Sequence, residues 1–247
     1  MKFNRASRVL LSASAGLLGL GLAAGLPVRA ETESMDTLEA RLDAIWDHSN
    51  QLAAATSTCT VQRVEDEWRA SGSPKKVKGK ADLTDAEAKA AYDCIKATMY
   101  PRFAKSDLPG AKEFHTWSQY NTLPYQSGTH GNRYVNNWGN DTGKAYGGFE
   151  ETKSVPVGTV LAKDGFHVTM KGEVKRAPLF TMMKKEDGFN AGSLDWEYAL
   201  IFPNGKTMGV TNGKNSKKVQ FCADCHNAAE DNDGMFFLPD QYRVSSK

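Results

Sequence analysis

The sequence predicts an α+β protein in which a helical N-terminal segment precedes an antiparallel β domain. Three observations predict it. Apolar residues recur at three and four in the stretch from about 34 to 105, which is the helix period. From about residue 128 the pattern becomes short β-prone runs punctuated by Gly, Pro, Asn and Asp. Neither an internal repeat nor a βαβ alternation interrupts this order, so the strands are expected to pair antiparallel.

The chain opens with Lys2, Arg5 and Arg8, then an apolar run rich in Gly, Ala and Leu from Val9 to Leu26, then "PVRA" ending at Ala30. This is the pattern of an export signal cleaved after a small residue, so residues 1–30 are expected to be removed and the protein to be periplasmic. An uncleaved anchor is the alternative, because the run approaches a minimal membrane span; its glycines and the V-R-A ending favour removal. No later segment is apolar enough to cross a membrane. The whole chain carries 31 basic and 29 acidic residues; without the four basic residues of the signal, 27 basic face 29 acidic, a net charge of −2. Such a balance offers no electrostatic footprint for nucleic acid.

In "SMDTLEARLDAIWDHSNQLAA" the residues Met35, Leu38, Leu42 and Ile45 mark one helical face. A second helix is predicted from "DLTDAEAKAAYDCIKATMYP", where Thr84 and Glu87 have capping-box spacing and Pro101 is expected to stop the run. The basic loop "SGSPKKVKGK" between them reads as a solvated linker. Cys59 and Cys94 fall in or beside these helices. An exported chain exposes free thiols to oxidation, so a disulfide pinning the two stretches together is favoured over two unlinked thiols. Strands are expected at 130–138, 157–166, 167–174, 177–185 and 195–202, with "PNGK" at 203–206 as a turn.

After the last strand comes "VQFCADCHNAAEDND". Its C-x-x-C-H places two thiols, Cys222 and Cys225, to add across the vinyl groups of one covalent haem c, with His226 beneath the iron as its ligand. A zinc site would need two further ligands at similar spacing, which are absent from the sequence; a redox dithiol is the remaining alternative. Only 21 residues follow His226, and the sole methionine among them, Met235, would have to double back to reach the opposite haem face. The expected product is a five-coordinate or weakly capped haem, open to small molecules, rather than a simple electron carrier.

The runs "HGNRYVNNWGND", "VPVGTVLAKDGF", "APLFTMMKK", "DWEYALIFPNG" and "CADCHNAAEDNDGMFF" together resemble the cytochrome P-460 family, which includes the gas-binding cytochrome c′-beta proteins. The resemblance covers roughly residues 113–244. It divides the chain into a signal peptide (1–30), a helical N-terminal extension (31–110) and an antiparallel β-sheet haem domain (111–247). In family enzymes a lysine on a strand beginning G-T-V bonds to the porphyrin, and the matching residue in "GTVLAKDGF" is Lys163. The resemblance implies oxidation of hydroxylamine, with electrons passing to a soluble c-type cytochrome, where a distal carboxylate takes protons. By placement the carboxylates to consider are Asp141, Glu150, Glu151 and Asp195. Without one, binding of NO or CO behind an apolar wall of Phe166, Phe180 and Met182 is the more economical expectation. His130 and Arg133 are expected near a haem propionate. Family members also resemble homodimers formed through the sheet domain.

Overall fold

The computed structural model describes residues 59–245. The predicted signal and the helix expected across Met35–Ile45 lie outside them. Two helices come first, α1 (Gln62–Ala70) and α2 (Asp85–Phe103). The capping box of α2 forms as expected: the Thr84 hydroxyl accepts from Glu87 N at 3.3 Å, and the Glu87 carboxylate accepts from Thr84 N at 2.9 Å. Pro101 does not stop the helix, which runs on to Phe103. It removes one hydrogen bond of the last turn, and the fully buried Met99 and Phe103 hold that turn on the core all the same.

The sheet has eight strands, all antiparallel: β1 (Ser118–Gln119), β2 (Tyr125–Ser127), β3 (Arg133–Gly139), β4 (Val160–Val168), β5 (Val174–Arg176), β6 (Leu179–Lys184), β7 (Trp196–Ile201) and β8 (Thr207–Val210). The order is β1-β3-β4-β6-β7-β8, with β2 also on β3 and β5 also on β4. This architecture is the α+β arrangement predicted. Two expected strands, 157–166 and 167–174, are instead one continuous strand, because β4 passes through Phe166 and His167 without a turn; the chain reverses only at 169–173. Strands β1, β2 and β8 were not anticipated. Each is four residues or shorter, too short for alternation to register. The "PNGK" turn does join β7 to β8, with Gly205 at φ +84°.

Strand β4 is buried at seven of its nine positions, so both of its faces are covered. On one face, Ile95, Met99 and Phe103 of α2 pack with Phe166, Leu179 and Ile201. Each of these large side chains contributes about 1.5–3 kcal/mol by leaving water. The extension is also stitched to the sheet by backbone bonds: Val61 N to Gly172 O at 2.8 Å, Val174 N to Cys59 O at 2.9 Å and Ala81 N to Val168 O at 2.9 Å. The disulfide between Cys59 and Cys94 forms, with the Cα atoms 6.0 Å apart. Closing a loop of 35 residues in the unfolded chain, it stabilises the fold by about 3–4 kcal/mol. The other face of the sheet, with Leu161, Met182 and Tyr198, meets the C-terminal segment and frames a cavity.

Candidate functional site

The C-x-x-C-H residues lie on a short helix, α3 (Gln220–His226), immediately after β8 and a single 3-10 turn. A spacing of three puts Cys222 and Cys225 on one helical face, with His226 one turn after Cys222. All three line one cavity of about 740 Å³, together with Lys163 of β4 and Phe180 of β6. Most of the remaining wall is apolar or aromatic, including Leu161, Met182, Leu200 and Phe236. This volume lies within the range of cofactor pockets.

His226 is held from behind. Its Nδ1 donates to Gly234 O at 2.6 Å, which leaves Nε2 with the lone pair that a metal requires. Burial, with Lys163 adding to it, lowers the His226 pKa to about 4 against the opposing pull of the Gly234 carbonyl. The turn that supplies this carbonyl needs left-handed backbone at Asp233 (φ 54°) and Gly234 (φ 74°). Asp233 is itself clamped: Lys184 Nζ donates to its Oδ1 at 2.6 Å and to Leu194 O at 2.8 Å, and Trp196 Nε1 donates to the Asp233 carbonyl at 2.7 Å. The ends of β6 and β7 thus position the ring of His226 through Asp233 and Gly234. Nothing in the spacing of the motif announces this relay, because its members lie about 35–50 residues apart. Met235 follows Gly234 directly, is buried and lines the cavity.

Cys222 and Cys225 are unlinked. Burial, with Cys225 beside it, pushes the Cys222 thiol up to about 11. A redox dithiol works through a lowered thiol pKa, so this environment argues against that alternative. Among the described residues no group of three or more His, Cys, Asp or Glu side chains converges on a metal position.

Lys163 sits at the centre of the sheet, opposite Asn137 on β3 and Phe180 on β6. Its amine reaches the cavity, and burial lowers its pKa to about 8, partly countered by Cys225. Among the described residues it has no hydrogen-bond or salt-bridge partner. Asn137 beside it is fixed by Tyr125, whose hydroxyl donates to Asn137 Oδ1 at 2.9 Å, and by its own Nδ2, which donates to the Tyr146 hydroxyl at 2.8 Å. Arg133 lines the same cavity; its Nη1 donates to His130 O at 2.5 Å, while its Nε is buried without a partner. An orphaned guanidinium N–H and an unpaired amine at the rim of an apolar cavity are what a dianionic, planar macrocycle would satisfy. The loop read as a solvated linker also reaches this rim, where Lys80 Nζ donates to Gly131 O.

These residues carry the decision, and a family comparison agrees with them. The Cytochrome P460 family model matches residues 112–237, just over half of the 247-residue chain. The chain belongs to the cytochrome P460 family. It is therefore a haem-binding cytochrome, and the cavity between the sheet and α3 is where its residues fit the haem. No curated protein matches the chain.

Other site expectations are corrected. None of the four carboxylates considered as a distal base lines the cavity. Asp141 pairs with Lys144 in solvent, Glu150 makes a bidentate pair with Arg243, Glu151 is exposed, and Asp195 accepts from Asn190 N at 2.7 Å. No Asp or Glu at all is among the lining residues. Phe166 is not a wall residue either; strand alternation turns it to the helix side, where it stacks on Tyr134 with ring centroids 5.5 Å apart. Phe180 and Met182 do line the cavity.

Proposed function

We propose that the chain is an exported, periplasmic mono-haem c cytochrome whose single haem is bonded to Cys222 and Cys225, ligated by His226 and cross-linked through Lys163. It oxidises hydroxylamine or a related small nitrogen species and passes the electrons to a soluble c-type cytochrome. The observation that carries this reading is Lys163: an unpartnered amine in the same cavity as the attachment cysteines, with its pKa lowered far enough that a neutral, nucleophilic fraction exists near neutral pH. The cross-link replaces one N–H and one porphyrin C–H by an N–C bond, so an oxidant of the peroxide class must take up two electrons, and the product is lighter by two hydrogen atoms.

When bound, the haem supplies the redox chemistry and the coordination site. The protein's part would be to orient it through α3 and to surround it with Phe180, Met182 and Leu200. Intact mass and the absorption spectrum of the dithionite-reduced protein test the proposal. A strongly red-shifted Soret band with the two-hydrogen mass deficit is expected, and Lys163→Ala is expected to lose the shift, the deficit and hydroxylamine turnover together. An ordinary haem c spectrum in the unsubstituted protein would sink the cross-link. It would favour the second reading, an NO- or CO-binding protein without turnover, which fits a cavity lined by no carboxylate among the described residues.

For the electron partner the favoured face is the cavity mouth. Phe202 and Phe221 are exposed there, and Lys206, Lys214, Lys217 and Lys218 occur in the same stretch, all exposed, with no acidic residue between Tyr198 and Ala223. An acidic cytochrome is expected to be reduced at a rate that falls steeply with added salt, whereas a salt-independent rate would place docking elsewhere.

A further inference from the structure

We propose that His130 is the residue that hydrogen-bonds an exogenous ligand on the open face of the iron, the position for which this cavity offers no carboxylate. The inference rests on the haem-site reading above and applies equally to a hydroxylamine oxidase and to a gas-binding protein.

His130 lies in the turn between β2 and β3, which is shaped by positive φ at Gly131 (78°) and Asn132 (51°) and closed by Gly131 N donating to Gly128 O at 3.0 Å. At φ 78° a residue with a side chain is strained, so position 131 favours glycine. The turn carries the imidazole onto the sheet wall, where it meets Phe180 edge-to-face with ring centroids 5.1 Å apart. Its Nδ1 lies 2.9 Å from Ser127 Oγ and 3.3 Å from Thr129 Oγ1, and its carbonyl accepts from Arg133. Ring and backbone are thus both anchored, and Nε2 is the nitrogen without a protein partner among the described residues.

The two hydroxyls at Nδ1 can each donate or accept. Nε2 can therefore present either an N–H or a lone pair, whichever a ligand demands. Burial, reinforced by the nearby charges of Lys163, His226 and Arg133, keeps the imidazole neutral at physiological pH, so both forms are accessible.

Several other polar groups of the cavity are already engaged, and Lys163 is assigned to the cross-link. The hydroxyls of Tyr125 and Tyr146 are bonded to Asn137 and to the Phe236 carbonyl. Arg133 is tied to the His130 carbonyl. Tyr198 has a buried hydroxyl without a partner, but its ring packs 5.2 Å from His226, on the attachment side. His130 is the imidazole of the cavity other than His226, and it packs edge-to-face on the sheet residue Phe180.

The test uses the haem-loaded protein and its His130→Phe and His130→Gln variants, with the C–O stretch of the reduced carbon monoxide adduct as readout. A hydrogen bond to the ligand oxygen weakens the C–O bond. His130→Phe is therefore expected to move the stretch to higher wavenumber, with His130→Gln in between and the covalent haem mass unchanged in both. An unchanged stretch in His130→Phe overturns the inference. So does a low-spin ferric spectrum in the unsubstituted protein that becomes high-spin in His130→Phe, since the imidazole would then be ligating the iron itself. If His130→Phe fails to load haem, the glutamine variant decides by the same shift. Absence of covalent haem in the unsubstituted chain sinks the haem-site reading instead, and is recognised by mass alone.

Discussion

Replacing both Cys222 and Cys225 by serine is expected to abolish covalent haem altogether. Both thiols line the cavity from one face of α3, and a hydroxyl does not add to a vinyl group as a thiol does. The check is the intact mass of the chain co-expressed with a haem c maturation system. The double variant should show the mass of the polypeptide alone, whereas each single variant should keep one thioether and the absorption signature of one unreacted vinyl. The fold is expected to survive, because Cys222 is only partly buried and Cys225 is exposed, so serine at either place creates no large cavity. Haem mass retained in the double variant would mean that attachment runs through Lys163 or not through this motif at all.

The second large effect is expected on the far side of the same strand. Asp164 is completely buried, facing α2 rather than the cavity, and it meets no cation among the described residues. Trp138 Nε1 and the Tyr92 hydroxyl donate to it at 2.8 Å each, with Asn136 Nδ2 at 3.4 Å, and the Tyr92 hydroxyl is 2.6 Å from that of Tyr100. Burial pushes the carboxyl up to about 6, against the pull of these donors. A raised carboxyl pKa means that folding favours the protonated form. The stability it brings is full below the unfolded pKa of 3.8 and is lost as pH rises through 6. The shift corresponds to about 3 kcal/mol between those limits. Asp164→Asn is therefore expected to be close to neutral at pH 4 and stabilising at pH 8, read as a melting-temperature difference that grows with pH through the window from 4 to 6. Asp164→Ala, which orphans the Trp138 and Tyr92 donors, is expected to destabilise by about 2–5 kcal/mol at either pH. A difference between the Asp and Asn forms that does not change with pH would show that Asp164 titrates normally.

Much of this was legible in the sequence because it was local. A capping box needs only Thr84 and Glu87, a turn only "PNGK", and the C-x-x-C-H motif only Cys222, Cys225 and His226 on one short helix. Lys163 was located by its place in a G-T-V strand motif, and the structure brings it to the cavity. The misreadings share one cause. Whether a strand ends at Phe166, whether Pro101 ends a helix, and whether any of several carboxylates reaches the cavity are questions about packing partners distant along the chain.

The sequence by itself determined the α+β class and the C-x-x-C-H motif, which are written in spacing or alternation along neighbouring residues, and the Cys59–Cys94 pair, which followed from an even cysteine count in an exported chain. Only the tertiary structure decided that no carboxylate among the described residues lines the cavity, that Lys184 and Trp196 hold His226 through Asp233 and Gly234, and that His130 is the imidazole beside Phe180. The physical reason is that burial and hydrogen-bond direction depend on which strand lies beside which. Strand pairing joins residues tens of positions apart, through contacts that leave no periodic trace in the chain.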